Sequence, residues 1–276
     1  MRQLSQTEIA DFRQDGVAFV PAAVDPQWVE RLLQVVDERL VNPGRWVNDA
    51  NPGQAIDRMF TERYMWQQHP VINDYVFNSG CAALAAQAMA ADTVRFYFDH
   101  LLVKEPETSA ATPWHQDIPY WPFRGRQVCS IWLALTRTTV AESAMEFVRG
   151  SHLDGTIYRP EVFNAREQHP NAWAEAAEGV PVPDIEGNRP DFDIIGYDVE
   201  PGDALIFSAW LLHGASGNAS GSNRRAALST RWLGDDAQWW PHPGSDPTVS
   251  QQDVSIQPGE YPADDRVFPV VWPPQD

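Results

Sequence analysis

The sequence predicts a mainly β fold with flanking helices: a helical N-terminal layer over about residues 1–92, then an antiparallel β core over about residues 93–235. Helix start and stop signals dominate the first part. From Val94 onward, short apolar runs rich in aromatic and β-branched residues are typical of strands. With 43% hydrophobic and 21% charged residues, the composition is globular. We expect residues 1–276 to form one domain, with a C-terminal extension, 236–276, wrapped around its surface.

The N-terminal layer begins with a helix that Ser5 can cap, since a glutamate follows three residues later. Gly16 ends that helix, and GVAFVP is a short strand. Pro26, after an aspartate, opens a second amphipathic helix. Residues 42–57 read as a turn-rich loop and residues 60–90 as helical again, so that MFTERYMWQQHP is predicted to be an amphipathic helix, with an active-site lid as the alternative.

The β core contains five predicted strands, which are RFYFDHLLVKEP, QVCSIWLALT, AMEFVRGSH, DALIFSAWLLHGAS and RAALSTRWLGD. Residues 153–195 form an irregular insertion between the third and fourth of these. Within it, AWAEAAEG is a candidate for an acidic helix.

Charge and composition exclude several classes of protein. The formal net charge of −18 argues against a nucleic-acid partner or an anionic membrane surface, because both would be repelled. Two cysteines, Cys81 and Cys129, are too few for a disulfide scaffold or a cysteine-based zinc site. Neither a membrane-spanning apolar run nor a secretory signal is recognisable, so the expected location is the cytoplasm. The oligomeric state is left open.

The segment TPWHQDIPYW carries the most informative pattern. His115 and Asp117 stand two residues apart, so in an extended chain their side chains point to the same side. His213, 98 residues later at the end of another predicted strand, is a candidate third ligand. Two histidines and one carboxylate on one face of a metal ion leave three positions open, as in non-haem Fe(II) oxygenases. Catalytic zinc usually needs only one open position.

Arg224 strengthens this interpretation. It follows His213 by eleven residues, and an antiparallel return strand would place its guanidinium deep in the same barrel. There it could grip the far carboxylate of a dicarboxylic keto acid that chelates the metal at its other end. Taken alone, Arg224 could equally form a structural ion pair. By strand alternation, Arg225 is expected to point the opposite way and to be a surface charge.

Six segments together resemble the phytanoyl-CoA dioxygenase family of Fe(II)/2-oxoglutarate oxygenases. They are LSQTEIADFRQDGVAFVP, LLVKEP, TPWHQDIPYW, MEFVRGSH, PGDALIFSAWLLHGASGN and RRAALS, and they span residues 4–235. The resemblance implies a double-stranded β-helix, or jelly-roll, core. It also implies that His115, Asp117 and His213 hold iron, and that Arg224 holds 2-oxoglutarate.

Further candidates flank this set. Lys104 and His100 share one face of a predicted strand, where either could reach the cosubstrate or the substrate. In the family an aromatic residue borders the cosubstrate at about the place of Trp132, although a packed core tryptophan is the alternative. Tyr120 and Trp121 follow the metal motif and could form a wall of the substrate site. Lys104 and Trp132 are therefore expected beside 2-oxoglutarate, and His100, Tyr120 and Trp121 beside the substrate.

The function implied by the resemblance is that of a dioxygenase dependent on Fe(II), 2-oxoglutarate and O₂. It would hydroxylate, or otherwise oxidise, a C–H bond of a small organic metabolite and produce succinate and CO₂. Related halogenases lack the carboxylate ligand, so Asp117 favours hydroxylation. The alternative is a non-oxidative cupin-like metal-binding protein, which could be a hydrolase, an isomerase or a sensor. Arg224 argues against that alternative, because such a protein needs no carboxylate clamp.

Overall fold

The computed structural model describes residues 2–160 and 179–274. The helix expected for AWAEAAEG lies outside these residues, apart from its final glycine. Within the two described ranges, no helix is long and apolar enough to cross a membrane.

The first two helices of the N-terminal layer begin where the sequence predicts. Ser5 Oγ accepts a hydrogen bond from the backbone N–H of Glu8, and the Glu8 carboxylate accepts one from Ser5 N–H, which closes a capping box. Asp25 caps the second helix, whose first residue is Pro26. The α-helices of the described chain are α1 (Gln6–Gln14), α2 (Pro26–Val41), α3 (Pro70–Asn78) and α4 (Cys81–Met89).

The strands form two main sheets and one short ribbon. Their bounds are β1 (Val17–Val20), β2 (Val47–Ala50), β3 (Met59–Arg63), β4 (Val94–Lys104), β5 (Thr112–His115), β6 (Phe123–Arg124), β7 (Val128–Ala134), β8 (Glu146–Val148), β9 (Ile194–Gly196), β10 (Ala204–Ser208), β11 (His213–Ala215), β12 (Arg225–Leu233), β13 (Gln238–Trp239) and β14 (Val270–Trp272). The large sheet has the order β1-β10-β7-β12-β4-β3-β2, with β14 also paired to β4. The small sheet has the order β5-β11-β8-β9, and β13 pairs with β6. All of these pairings are antiparallel, which confirms the predicted jelly-roll core.

Alternation along β12 divides the core into two parts. Leu228 and Trp232 face outward and belong to the cluster packed against the helical layer. Ala227 faces inward and packs with Trp132 and Phe207 between the two sheets. The large sheet therefore buries one face under helices and turns the other toward the small sheet, where the candidate site lies.

Three element predictions were wrong. The turn-rich loop predicted over residues 42–57 contains the strand β2, which pairs with β3. The segment Met59–Arg63 is a strand rather than a helix, because it pairs along its whole length with β4 and buries Phe60 under the helical layer. DALIFSAWLLHGAS is not one strand: it breaks after Ser208, and the Leu211 N–H donates to Ser208 C=O in the intervening turn. This turn carries the chain from the large sheet to the small sheet and delivers His213 opposite the inner face of the large sheet.

Part of the C-terminal segment packs against the barrel. Phe268 and Trp239 are fully buried, and their rings contact Phe123. Cys81 and Cys129 are both buried and free.

Candidate active site

His115, Asp117 and His213 meet in one buried cluster. His115 ends β5 and His213 begins β11, and the two residues pair directly across these neighbouring strands. One nitrogen from each histidine and one carboxylate oxygen of Asp117 all lie within 4.8 Å of one another. The predicted set of metal ligands is therefore brought together by the fold.

The position of Asp117 has a different origin from the one expected. β5 ends at His115, and Asp117 has helical backbone angles (φ −75°, ψ −41°) as it precedes the short 3₁₀ turn Ile118–Tyr120. This turn, rather than strand alternation, brings the carboxylate back beside the imidazoles. Asp117 Oδ1 lies 3.7 Å from His115 Nε2 and 3.9 Å from His213 Nε2. Asp117 Oδ2 points away and accepts a hydrogen bond of 2.6 Å from Ser130 Oγ.

Both histidines are oriented by backbone carbonyls. His115 Nδ1 lies 2.8 Å from Pro113 O, and His213 Nδ1 lies 2.9 Å from Leu211 O. A carbonyl oxygen can only accept, so each Nδ1 carries the proton and each Nε2 presents its lone pair to the shared space. This is the arrangement of metal-binding histidines whose other nitrogen is anchored.

Electrostatics keep these groups in the protonation states that metal binding requires. Burial, with a contribution from His115, lowers the pKa of His213 to about 3, so the ring is neutral. Burial alone would raise the pKa of Asp117, but the charge of Arg231 and the two histidines hold it well below its usual range. The cluster thus offers the neutral imidazole of His213 and the ionised carboxylate of Asp117.

The structure reverses the predicted placement of the two neighbouring arginines. Arg224 precedes β12 and points outward, where it forms ion pairs with Glu105 (2.8 Å) and Asp37 (2.9 Å). Its side chain is 34% exposed. Arg225 is 3% exposed and lines the cavity that contains the three candidate ligands. Neighbouring residues of the strand do point to opposite faces, as predicted, but the inward-facing set was assigned one residue too early. β12 begins at Arg225 and turns Arg225, Ala227 and Ser229 inward.

Arg225 is a buried cation, and the part of the chain that the structure describes offers it no anionic partner. Its Nε donates to Ser143 O at 3.1 Å, and its guanidinium carbon lies 5.2 Å from the centre of the Trp132 ring. Among the described residues, no carboxylate lies within 4.0 Å of the guanidinium. Burial lowers the pKa of Arg225 to about 10, so the group remains charged at neutral pH.

Lys104 lies behind Arg225 and does not line the cavity. It pairs with Arg225 across β4 and β12, and its Nζ donates to Ser216 O at 2.6 Å. Burial, together with the Arg225 charge, lowers the pKa of Lys104 well below its ordinary value. Direct contact between Lys104 and a ligand in the cavity is therefore not part of this arrangement.

The remaining candidates lie on the cavity wall. Trp132 is 1% exposed, and its Nε1–H has no hydrogen-bond acceptor in residues 2–160 and 179–274. Burial and the charges of nearby arginines lower the pKa of His100 well below its ordinary value. The ring of Tyr120 stands edge-on to His115 with 5.7 Å between the ring centres, and Trp121 lies beside it. All four residues line the cavity.

Three polar residues in or beside the cavity, Ser130, Arg231 and Asp246, were missed by sequence reasoning, whereas Arg63 belongs to the segment that was weighed as a lid. Ser130 and Arg231 both contact or approach Asp117, and Arg63 forms a 3.1 Å ion pair with Asp246 of the C-terminal extension. The sequence could have indicated Arg231, because it stands six residues after Arg225 in the same strand and so shares its inward face. Asp246 had none, because only the tertiary fold brings the extension to the cavity.

The donor set fits a divalent metal ion. Two imidazole nitrogens and one carboxylate oxygen form the set that non-haem iron uses in oxygenases with open positions. The guanidinium of Arg225 and the Trp132 Nε1–H supply donors for a carboxylate in the same cavity. The described residues therefore fit iron together with a dicarboxylic keto acid.

Comparisons with known proteins agree with this geometry. A family model described as phytanoyl-CoA dioxygenase matches residues 12–226. A probable phytanoyl-CoA dioxygenase from Caenorhabditis elegans is 29% identical over 140 residues, which cover 49% of this chain but only 41% of that protein. The chain thus spans less than half the length of this relative. A 1-deoxypentalenic acid 11-beta-hydroxylase from Streptomyces exfoliatus is 23% identical over 80% of this chain and 78% of its own.

Among solved structures, the fold is similar to that of the non-haem α-ketoglutarate-dependent carbocyclase SnoK from nogalamycin biosynthesis. The TM-score is 0.72 at 23% identity, with 97% of this chain and 96% of the other covered. The family model covers most of the chain, including all three candidate metal ligands and Arg225. The chain therefore belongs to the phytanoyl-CoA dioxygenase family.

Proposed function

We propose that the protein is an Fe(II)- and 2-oxoglutarate-dependent dioxygenase that hydroxylates a C–H bond of a small organic metabolite. One observation carries this proposal. A complete two-histidine, one-carboxylate cluster shares a cavity with a buried arginine that lacks an anionic partner in the described chain. Burying an uncompensated charge is costly, so a site built in this way is suited to an incoming carboxylate.

Arg225, rather than Arg224, is the residue proposed to hold the far carboxylate of 2-oxoglutarate. Its guanidinium is oriented by Ser143 O and lies over the Trp132 ring, so little side-chain freedom remains to be lost on binding. The Trp132 Nε1–H is available as a further donor. Lys104 pairs with Arg225 across β4 and β12, and its Nζ is directed at Ser216 O rather than into the cavity.

His115, Asp117 and His213 would hold the iron, through the two Nε2 atoms and Asp117 Oδ1. When bound, iron, 2-oxoglutarate and O₂ supply the oxidising chemistry, with succinate and CO₂ as the products of the cosubstrate. The chain keeps Nε2 of both histidines free through their Nδ1–carbonyl hydrogen bonds. Buried aromatic side chains, among them Phe207 and Trp132, exclude water from this end of the cavity.

The substrate is proposed to lie on the side of the cavity lined by His100, Tyr120 and Trp121. Hydroxylation is favoured over halogenation because Asp117 occupies the carboxylate position. The name of the Streptomyces exfoliatus relative, a hydroxylase, supports the same reaction class.

A non-oxidative metal-binding protein remains the second candidate, since zinc also accepts two histidines and a carboxylate. Arg225 argues against it, because a hydrolase or sensor of this kind has no use for a buried, unpartnered guanidinium. Metal preference separates the two candidates: Zn(II) should suffice for the alternative, whereas only Fe(II) should support turnover in a dioxygenase.

The experiment that tests the proposal is a screen for substrate-stimulated succinate formation. The purified protein is supplied with Fe(II), ascorbate, 2-oxoglutarate and a library of small metabolites. At least one compound is expected to accelerate succinate formation in the wild type but not in His213→Ala. Succinate formation that never depends on iron, or that survives in His213→Ala, would contradict the proposal.

A further inference from the structure

The cavity is lined by three described arginines in different electrostatic situations. Arg63 is neutralised by Asp246 at 3.1 Å. Arg225 is the proposed partner of 2-oxoglutarate. Arg231 is 6% exposed and lines the same cavity, and although its charge helps to keep Asp117 ionised, no ligand has yet been assigned to it.

Arg231 lacks a carboxylate at hydrogen-bonding distance. Its Nε has no hydrogen-bond partner among the described residues, and the closest carboxylate atom, Asp117 Oδ2, is 3.7 Å away. That oxygen already accepts from Ser130, and Asp117 Oδ1 faces the histidines. The charge of Asp117 is thus directed at the metal position, and Arg231 is left with only partial compensation.

The other nearby acid is turned away. Asp99 pairs with Thr230 on the opposite face of the large sheet, and its two oxygens accept hydrogen bonds from Met65 N–H and Trp66 N–H. It therefore contributes charge at a distance but no contact to Arg231.

Arg231 is held in place by its surroundings. Its guanidinium carbon lies 5.3 Å from the centre of the Phe98 ring and 5.5 Å from that of Trp121, and one Nη donates to Ser229 Oγ. Aromatic faces on two sides leave the planar fork oriented and poorly hydrated, which is how arginine recognises carboxylates.

Arg231 and Arg225 lie at opposite ends of the inner face of β12, with the metal cluster beside Arg231. At ~3.3 Å per residue, the six-residue separation puts their Cα atoms roughly 20 Å apart. The wall around Arg231 consists of the residues assigned to the substrate side, Trp121 among them.

We propose that Arg231 is a specificity-determining residue that binds an anionic group of the primary substrate, so that the enzyme acts on small organic carboxylates. This inference rests on the proposed function, because it assumes that 2-oxoglutarate occupies Arg225. The carboxylate that binds Arg231 is then that of the primary substrate. A neutral substrate would leave the Arg231 charge buried with only the distant Asp117 oxygen to balance it.

The test uses matched pairs of carboxylic acids and their primary amides, with apolar bodies of four to twelve carbons. Binding is measured by calorimetry and ligand-observed NMR on protein loaded anaerobically with Mn(II) and 2-oxoglutarate. The wild type should bind at least one acid roughly ten- to a hundredfold more tightly than its amide, as expected for one charge-assisted contact in a buried site. This comparison needs no substitution, and absence of any preference for acids across the series would overturn the proposal.

Two variants then identify the residue responsible. Arg231→Gln should abolish the preference for the acid, whereas Arg231→Lys, which keeps the charge, should retain part of it. Both variants should bind 2-oxoglutarate within about threefold of the wild type, and Arg231→Lys, which keeps the charge beside Asp117, should also bind metal within about threefold. If Arg231→Gln instead weakens 2-oxoglutarate as much as Arg225→Gln does, the carboxylate at Arg231 is that of the cosubstrate and the proposal is wrong.

Loss of metal binding in Arg231→Lys would likewise overturn the proposal, since Arg231 would then act by positioning Asp117. If the proposed function itself were wrong, the result would be distinct, because the wild type would not bind 2-oxoglutarate. The acid–amide comparison can still be made on Mn(II)-loaded protein without cosubstrate, so the two failures are distinguishable.

Discussion

Replacement of Arg225 by glutamine should weaken 2-oxoglutarate binding strongly, whereas the same change at Arg224 should not. Arg225 is 3% exposed and has no carboxylate partner in the described chain, so a ligand carboxylate would be its first. A buried, charge-assisted hydrogen bond contributes about 1.5–3 kcal/mol, which corresponds to a roughly ten- to 150-fold increase in Kd for Arg225→Gln. Arg224 makes half-exposed ion pairs with Glu105 and Asp37, and such pairs contribute at most about 1 kcal/mol to stability.

The assay is calorimetric titration of 2-oxoglutarate into anaerobic, Mn(II)-loaded protein. Pyruvate provides the internal control, because it lacks the far carboxylate: its weaker binding should be nearly unchanged by Arg225→Gln. Equal effects at positions 224 and 225, or an equal loss for pyruvate and 2-oxoglutarate, would refute the assignment of Arg225 as the clamp.

Three further predictions concern the metal cluster and its surroundings. His115→Ala, Asp117→Ala and His213→Ala should each abolish stoichiometric Fe(II) binding measured by anaerobic equilibrium dialysis, and near-normal binding in any of them would remove that residue from the ligand set. Ser130→Ala removes the 2.6 Å hydrogen bond to Asp117 Oδ2 and should lower metal affinity roughly ten- to a hundredfold, with an unchanged Kd as the contrary result. Burial raises the pKa of Asp99 to about 6, so the folded state binds a proton that the unfolded state has lost, and stability falls as pH rises from about 4 through 6. Between pH 5 and pH 7, the free energy of unfolding measured by urea denaturation should fall by roughly 1 kcal/mol more in the metal-free wild type than in Asp99→Asn. The same pH dependence in both proteins would disprove the raised pKa of Asp99.

The architecture and the metal ligands could be predicted from sequence because their signals are local or family-wide. Helix caps at Ser5 and Asp25 depend on a few adjacent residues, and both were confirmed. His115, Asp117 and His213 were recognised by residue type and order, although the turn that positions Asp117 was not anticipated.

Which residues of β12 face the cavity could not be deduced in the same way. It depends on where the preceding loop ends, and Asn218 fixes that loop through hydrogen bonds from its amide to Lys104 O and Asn223 O. One residue more or less in such a loop exchanges the inward and outward faces of the whole strand. Arg224 and Arg225 were therefore interchangeable to sequence reasoning, and only the tertiary structure separates them.

The break in DALIFSAWLLHGAS was hidden for a related reason. Its apolar residues are continuous because β10 is buried on both faces and the following turn, including Leu211 and Leu212, is buried as well. An uninterrupted apolar run cannot show where a chain leaves one sheet and joins another.

The most direct test of the central claim is the iron-dependent conversion of 2-oxoglutarate to succinate by the wild type, His213→Ala and Arg225→Gln, measured with the same stimulating metabolite. We predict turnover in the wild type with Fe(II) but not with Zn(II), and none in His213→Ala. In Arg225→Gln the half-saturating concentration of 2-oxoglutarate should rise at least about tenfold. Undiminished turnover in His213→Ala, or equal activity with Zn(II), would contradict it.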